Sequence, residues 1–403
     1  MIGDPLLADG LDGGDVAVIL VKVVAAFTFV LLSVVFMIWF ERKLISDMQN
    51  RIGPNRAGPW GILQTLADGV KLFFKEDLLP DRADRAVFRL APYLSLIPAF
   101  VIFSVVPIGG VFNGDRTGTV RLFGKETVLQ VADPPIGILL VLAMSSIAVY
   151  GVMLAGWSSG SKYPLLGAVR ASAQMVSYEA ALGLAVVTVV LASTQEVGGS
   201  ILGSLSTHDI VGSQDAFTRW NVLATGIVPF VVFLIASTAE LNRPPFDLVE
   251  AEQELVGGFH TEYSSVRFAL FYLAEFMNTV TMSAIIVTLF FGGPNGPLLF
   301  GPDWVWPILW FLAKLLVFLF VFVWFRATLP RFRYDQLMDL GWKVLIPLSL
   351  GWLLLLAATR VAQDRDWNVP LVMVIGLAVG IAAYALLSSA VRAGQRAHEE
   401  NAR

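Results

Sequence analysis

The residues best suited to chemistry form one acidic run, Glu240-Leu-Asn-Arg-Pro-Pro-Phe-Asp247, continuing through Glu250, Glu252 and Glu254 to Glu262. These carboxylates share the segment with a single arginine, Arg243, and lie between two strongly apolar stretches. Carboxylates beside hydrocarbon are costly to keep, so a dense run of them points to proton or cation handling. Charge alone fits a solvated loop equally well. In a helix, Asp247, Glu250 and Glu254 would share one face, because they stand three and four residues apart. Like charges so placed repel by about 0.2–0.5 kcal/mol per pair unless a proton, a cation or a partner compensates.

The elements that must position this run are membrane helices. Of the 403 residues, 56% are hydrophobic and 15% charged, against about 25% charged in ordinary soluble domains; mean hydropathy is +0.71. Apolar stretches of bilayer length fall near 16–40, 90–111, 134–157, 177–192, 221–239, 267–291, 304–325, 342–359 and 369–391. The expected fold is therefore all-α: one polytopic membrane helix bundle over residues 1–403, with about nine transmembrane helices. Trp39, Tyr93, Trp157, Trp220, Trp304, Trp324, Trp342 and Trp367 lie near span ends, as interfacial belts require. Most Lys and Arg fall in alternate loops and the C-terminal tail, leaving only Arg116, Arg121, Lys125, Arg219, Arg360 and Arg365 on the other side. That bias predicts an outside N-terminus and a cytoplasmic C-terminus. Residues 1–15 are acidic and lack a basic n-region, so a cleaved signal peptide is not expected.

With no cysteine, the chain has no disulfide, no thiolate metal site and no Cys-ligated iron–sulfur cluster. His208, His260 and His398 supply no bis-His pair on one helix. No metal site, intrinsic redox centre or nucleic-acid partner is expected. The Gly-, Ser- and Thr-rich loops 112–133 and 196–219 read as spacers or short hairpins.

Segment 59–77 differs from the spans. Ile62, Leu66, Val70 and Phe73 or Phe74 recur at helical spacing, with Gln64, Asp68, Lys71 and Lys75 opposite and Pro59 in the first turn. So short an amphipathic helix lies in the membrane plane. It reads either as a connector tucked against the bundle or as the rim of an opening on the lipid side. Before it, Arg51 and Arg56 flank a Gly-Pro-Asn turn, where both could simply meet lipid headgroups.

Three long motifs carry a resemblance. Gln49-Asn-Arg-Ile-Gly-Pro-Asn-Arg-Ala-Gly-Pro-Trp-Gly-Ile-Leu-Gln-Thr-Leu-Ala-Asp-Gly-Val-Lys71 is the first. Ala239-Glu-Leu-Asn-Arg-Pro-Pro-Phe-Asp-Leu-Val-Glu-Ala-Glu-Gln-Glu-Leu-Val-Gly-Gly257, with Thr261-Glu-Tyr-Ser264, is the second, and Arg326-Ala-Thr-Leu-Pro-Arg-Phe-Arg-Tyr-Asp-Gln-Leu-Met338 the third. Together they resemble the H-subunit family of bacterial respiratory complex I, subunit 1 in mitochondria, over roughly residues 29–347. The resemblance implies a subunit of the bacterial cytoplasmic (inner) membrane that forms part of a quinone tunnel and couples quinone reduction to proton translocation. The substrate would be ubiquinone or menaquinone. Flavin and iron–sulfur clusters would reside in peripheral partner subunits, with antiporter-like subunits as membrane partners.

On that footing, Arg51, Arg56, Trp60, Asp68, Lys71, Arg243 and Phe246 are expected at the quinone tunnel, with loop 240–265 beside it and Arg243 paired to the acidic run. Asp247, Glu250, Glu252 and Glu254 are expected to sense quinone charge, and Glu179, Glu240 and Glu275 to continue a proton relay. Arg331, Arg333, Tyr334 and Asp335 are expected to dock the hydrophilic arm. Lys314 is expected either to join the relay or to bridge to a carboxylate, and Lys22 to snorkel outward. The ninth helix, 369–392, and its tail exceed the shorter members, and the resemblance gives them no role. Three rival readings remain: the membrane subunit of an energy-converting hydrogenase-type complex, a free-standing secondary transporter, and a passive anchor.

Overall fold

The computed structural model describes residues 4–7, 12–112, 118–197, 200–248, 252–298 and 302–401. They form an all-α membrane bundle with two small β-hairpins. Helix α1 (Gly13–Met48) has 36 residues, about 54 Å at 1.5 Å per residue. It therefore crosses a hydrocarbon core of roughly 30 Å and continues beyond it. A 3-10 turn, Pro59–Gly61, leads into α2 (Gln64–Phe74), and α3 (Arg85–Ser104) returns across. After the hairpin β1 (Thr119–Leu122) and β2 (Lys125–Val128) come α4 (Gly137–Ser158) and α5 (Lys162–Ala192). A second hairpin, β3 (Thr194–Val197) and β4 (Ser200–Gly203), precedes the short α6 (Thr207–Gly212) and α7 (Asn221–Ala224).

Helix α8 (Ile227–Glu240) is only 14 residues long. The sequence pattern suggested one span over 221–239, but Gly226 takes φ +79, breaking the helix and separating α7 from α8. After α9 (Glu252–Leu255) come α10 (Ser265–Phe290), α11 (Val305–Thr328) and α12 (Tyr334–Asp339). A π-helical turn, Leu340–Leu345, joins α12 to α13 (Ile346–Asp364), and α14 (Val369–Asn401) follows. Eight helices among the described residues are long and apolar enough to cross a membrane, and α8 is a shorter ninth.

Helix α10 is the axis of the bundle. It packs on α1, α3 and α11, and 83% of its apolar span is buried, against none of α14. Phe103, Tyr178, Phe233, Met277, Ile285 and Phe290 fill the core around it. Its carbonyl end is buried on the hairpin side, where the last helical carbonyls have no intrahelical partner. Side chains supply partners instead: Gln214 Nε2 donates to Thr288 O at 3.0 Å, and Asn221 Nδ2 to Leu289 O at 2.8 Å.

The α3–α4–α5 layer depends on close backbone approach. A Cβ at Gly151 would lie 2.2 Å from Ser95 Oγ, and one at Gly156 would lie 2.3 Å from the Pro164 carbonyl oxygen. Small residues at helix crossings are how membrane helices pack without a hydrophobic driving force between them. Gly156→Ala is therefore expected to destabilise the α4–α5 contact by about 1–3 kcal/mol. Gly183→Ala, where a Cβ meets nothing within 4 Å, should leave stability unchanged. The thermal unfolding midpoint of the detergent-solubilised protein measures both, and equal midpoints would contradict this packing account.

Candidate functional site

A cavity of about 1320 Å³ lies between α1, α2 and α10. Its apolar walls include Val34 and Ile45 of α1, Val70 and Phe73 of α2, and Leu273 and Phe276 of α10. Its polar end carries Glu41, Arg42, Arg51, Asp68, Lys71 and Arg326.

Helix α2 forms one wall without being buried: Leu66, Val70, Phe73 and Phe74 are all more than half exposed. Polar ties at both ends hold it in place. Trp39 Nε1 donates to Trp60 O at 2.9 Å, and Arg42 pairs with Asp68 at 2.7 Å. Ser265 Oγ donates to Leu72 O at 3.0 Å, and Ser264 Oγ to Glu76 O at 3.1 Å. Partial burial pushes the Asp68 carboxyl up, but the hydrogen bond and charge of Arg42, helped by Gln64 and Lys71, hold it below the usual carboxylate range.

A buried ion network closes the polar end. Arg243 Nη1 donates to Glu41 Oε2 at 2.7 Å, and both side chains are at most 4% exposed. Arg326 donates to the other Glu41 oxygen. Arg243 Nε lies 3.0 Å from Glu275 Oε1, and its guanidinium stacks 4.4 Å from the Phe276 ring centroid. The chain thereby joins α1, the loop after α8, α10 and α11 through two carboxylates and two guanidiniums. The expected pairing of Arg243 with the acidic run is not found among the described residues. Arg243 turns inward to Glu41 and Glu275, while Arg331 reaches Asp247 at 2.7 Å.

Beyond Glu275 lies a second, small cavity of about 60 Å³. Glu240 and Glu275 face it from two helices, with His260, Ser95 and Asn278 on its wall. Glu240 is buried, and Glu179 lies close enough to interact with it electrostatically. Glu179 in turn accepts a hydrogen bond from Ser146 Oγ.

The sequence-derived residues thus divide. Arg51, Asp68 and Lys71 line the large cavity, whereas Arg56 is exposed outside it, and the exposed Trp60 holds α2 through its carbonyl. Phe246 is buried away from it, between Tyr178 and Phe332, with Gln174 Nε2 donating to its carbonyl at 3.0 Å. Asp247 is not on a helix with Glu254: Asp247 and Leu248 are themselves non-helical, and α9 begins at Glu252. Glu252 begins α9, and Glu250 lies outside the described residues. Glu254 is exposed and pairs with Arg170 at 2.6 Å. Arg333 and Asp335 form an exposed pair at 2.9 Å, and Tyr334 is exposed beside them.

Two lysines differ from expectation. Lys22 is buried rather than snorkelling, ion-paired to Asp4 and donating to Thr127 Oγ1 at 3.0 Å beneath the first hairpin. Lys314 has neither expected partner: its ammonium donates to the Phe291, Gly293 and Asn295 carbonyls at 2.8, 2.9 and 2.6 Å. A cation there caps the carbonyl end of α10. Sequence reasoning missed Glu41 and Arg326 as site residues, along with His260 and Asn278. The available signal was a carboxylate, Glu41, at the end of a long apolar run, which reads equally well as an interfacial residue.

A family model described as NADH dehydrogenase matches residues 21–357. The H subunit of NADH-quinone oxidoreductase from Frankia alni is 52% identical over 369 residues, covering 90% of this chain and 77% of that protein. Its counterpart from Streptomyces avermitilis is 48% identical over 356 residues, covering 87% and 75% respectively.

The network makes a graded stability prediction. Glu41→Ala strands two guanidiniums, one of them fully buried, and is expected to cost about 3–5 kcal/mol. Arg331→Ala removes a cation that is 48% exposed and is expected to cost about 1 kcal/mol or less. Amounts of folded protein in membranes and thermal midpoints after solubilisation should rank the two in that order; the reverse ranking would contradict the network.

Proposed function

This chain belongs to the NADH dehydrogenase family and is a membrane subunit of NADH-quinone oxidoreductase; on that premise we propose that it forms the membrane side of the quinone site and relays protons through its carboxylates. The observation that carries the reading is the 1320 Å³ cavity, which has apolar walls along α2 and α10 and ends at Glu41 and Arg326. A quinone has the matching shape, an apolar tail bearing a polar ring, whether it is ubiquinone or menaquinone. Helix α2, exposed yet tied at both ends, is the rim past which the tail enters from the bilayer.

Reducing a quinone takes two electrons and two protons. The electrons come from flavin and iron–sulfur clusters in peripheral partner subunits; this chain provides orientation and proton handling. Arg326 offers hydrogen-bond donors near the ring, and the buried Arg243 stands behind it on Glu41. Negative charge developing there competes with Glu41 and Glu275 for these guanidiniums, and a carboxylate that loses its cation takes up a proton. Asp247, held by Arg331, and Glu254, held by Arg170, sense this charge, and the sequence assigns Glu250 and Glu252 the same role. The small cavity between Glu275 and Glu240 exceeds the roughly 10–15 Å³ that one water needs, and polar groups line it. Water bridging the two carboxylates passes the proton inward, and Glu179 continues the line toward antiporter-like subunits.

The same reading places the chain in the bacterial cytoplasmic membrane, with the hairpins and N-terminus outside and α2, loop 240–265 and the C-terminus inside, following the cation bias. The exposed Arg333, Tyr334 and Asp335 then face the peripheral arm.

Two tests address different parts of the proposal. Glu240→Gln and Glu275→Gln are expected to assemble fully yet lower NADH-driven quinone reduction and its coupled proton uptake about tenfold or more, with the Asp variants retaining part. Full assembly with normal pumping would end the relay. Gly69→Trp, at a cavity-lining position where a Cβ meets nothing within 4 Å, should raise KM for a long-tailed quinone about tenfold while sparing a tail-less analogue. Equal effects on both substrates would refute lateral entry.

A further inference from the structure

Helices α13 and α14 meet over a cavity of about 250 Å³ that belongs to neither the quinone site nor the carboxylate line. Arg360 and Thr359 of α13, Thr188 of α5 and Val369 and Met373 of α14 line it, so half of its wall lies beyond the residues 21–357 that match the family. It sits at the hairpin side, where α5 ends at Ala192 and α7 at Ala224, both on its wall.

Arg360 is half-buried, and its Nη2 donates to Ala192 O at 3.0 Å. No carboxylate among the described residues pairs with it, and neither Asp364 nor Asp366 is on the cavity wall. A guanidinium has five donors in a planar fork, so most remain for an incoming group. One turn onward, Arg365 lies 5.7 Å from the ring of Trp367, a residue type that marks the headgroup level. The two helices that flank the cavity also carry exposed apolar side chains: Leu354 of α13 and Ile381 and Leu386 of α14 are each more than 60% exposed.

We propose that this cavity is a phospholipid site, with Arg360 holding the phosphodiester of an anionic lipid from the leaflet on the hairpin side and an acyl chain lying along α13 and α14. The argument is charge complementarity at a fixed depth. A half-buried fork without a carboxylate stands where the membrane presents phosphates, and Arg binds phosphate bidentately. Helix α14, none of whose apolar span is buried by protein, then serves as the second wall of a lipid clamp.

The test uses the whole complex, purified in mild detergent, washed to constant lipid content and analysed for retained lipid by mass spectrometry. The intact complex should keep one phosphatidylglycerol-class lipid that Arg360→Gln loses. In nanodiscs, affinity for labelled phosphatidylglycerol should fall about tenfold in that variant. Arg360→Lys should lie between, and Arg365→Gln should match the unaltered complex. Equal retention in Arg360→Gln would overturn the proposal, as would equal affinity for phosphatidylcholine. Displacement by inorganic phosphate would reduce the site to a simple anion site. A carbodiimide crosslink from Arg360→Lys to a neighbouring subunit would assign the cation to a protein carboxylate instead.

Discussion

Glu41 is buried between two guanidiniums, that of Arg243, itself buried, and that of Arg326 on the cavity wall. Ions so placed are tolerable only when paired, since removing one partner leaves an uncompensated buried charge. That requirement fixes where four elements stand. Glu41 is near the C-terminal end of α1, Arg326 near the end of α11, Arg243 follows α8, and Glu275 lies on α10. With no cysteine available for crosslinking, this network ties the first helix to segments more than two hundred residues away. It also joins the polar end of the large cavity, at Glu41 and Arg326, to the wall of the small one, at Glu275, so the two cavities share one physical constraint.

The two faces of the bundle solve opposite problems. On the hairpin side, polar groups are spent on closure: Gln214, Asn221 and Lys314 satisfy carbonyls at the end of α10, and Lys22 locks Asp4 and Thr127 over α1. On the other side, polar groups hold an opening. Helix α2 is fastened at its two ends to α1 and α10, and its apolar face never collapses onto the core. Had those ties been hydrophobic contacts, burying the face would have closed the cavity. Polar anchorage with an unburied apolar face keeps a lipid-like volume available.

The spans were legible because hydrocarbon imposes length and composition locally, and the amphipathic segment because its apolar and polar residues separate at helical period. The break at Gly226, which splits the expected span 221–239 into α7 and α8, was less visible: a glycine in an apolar run signals a turn only when its φ is known. Pairings were not legible at all. Arg243 finds Glu41 across 202 positions and Asp247 finds Arg331 across 84, distances over which periodicity carries no information. Lys314 shows the same limit, since backbone carbonyls as counter-groups leave no trace in side-chain composition. Charge neutrality in the membrane demanded some partner for each ion without naming it.

Helix α14 shows what such a network permits. Every ion pair that closes the polar end of the large cavity lies on α1, α2, α10, α11 or the loop after α8, and all of those residues fall within the segment that matches the family. Helix α14 touches this frame chiefly through α13, where the absence of a Cβ at Gly376 admits Leu355. A helix at such a periphery has no part in the pairing of those buried charges. Its apolar span, unburied by the rest of the chain, lies beside α13 at the edge of the bundle. The interior is over-determined by electrostatics, whereas the rim is set by packing alone, and α14, which lies beyond the segment that matches the family, stands at that rim.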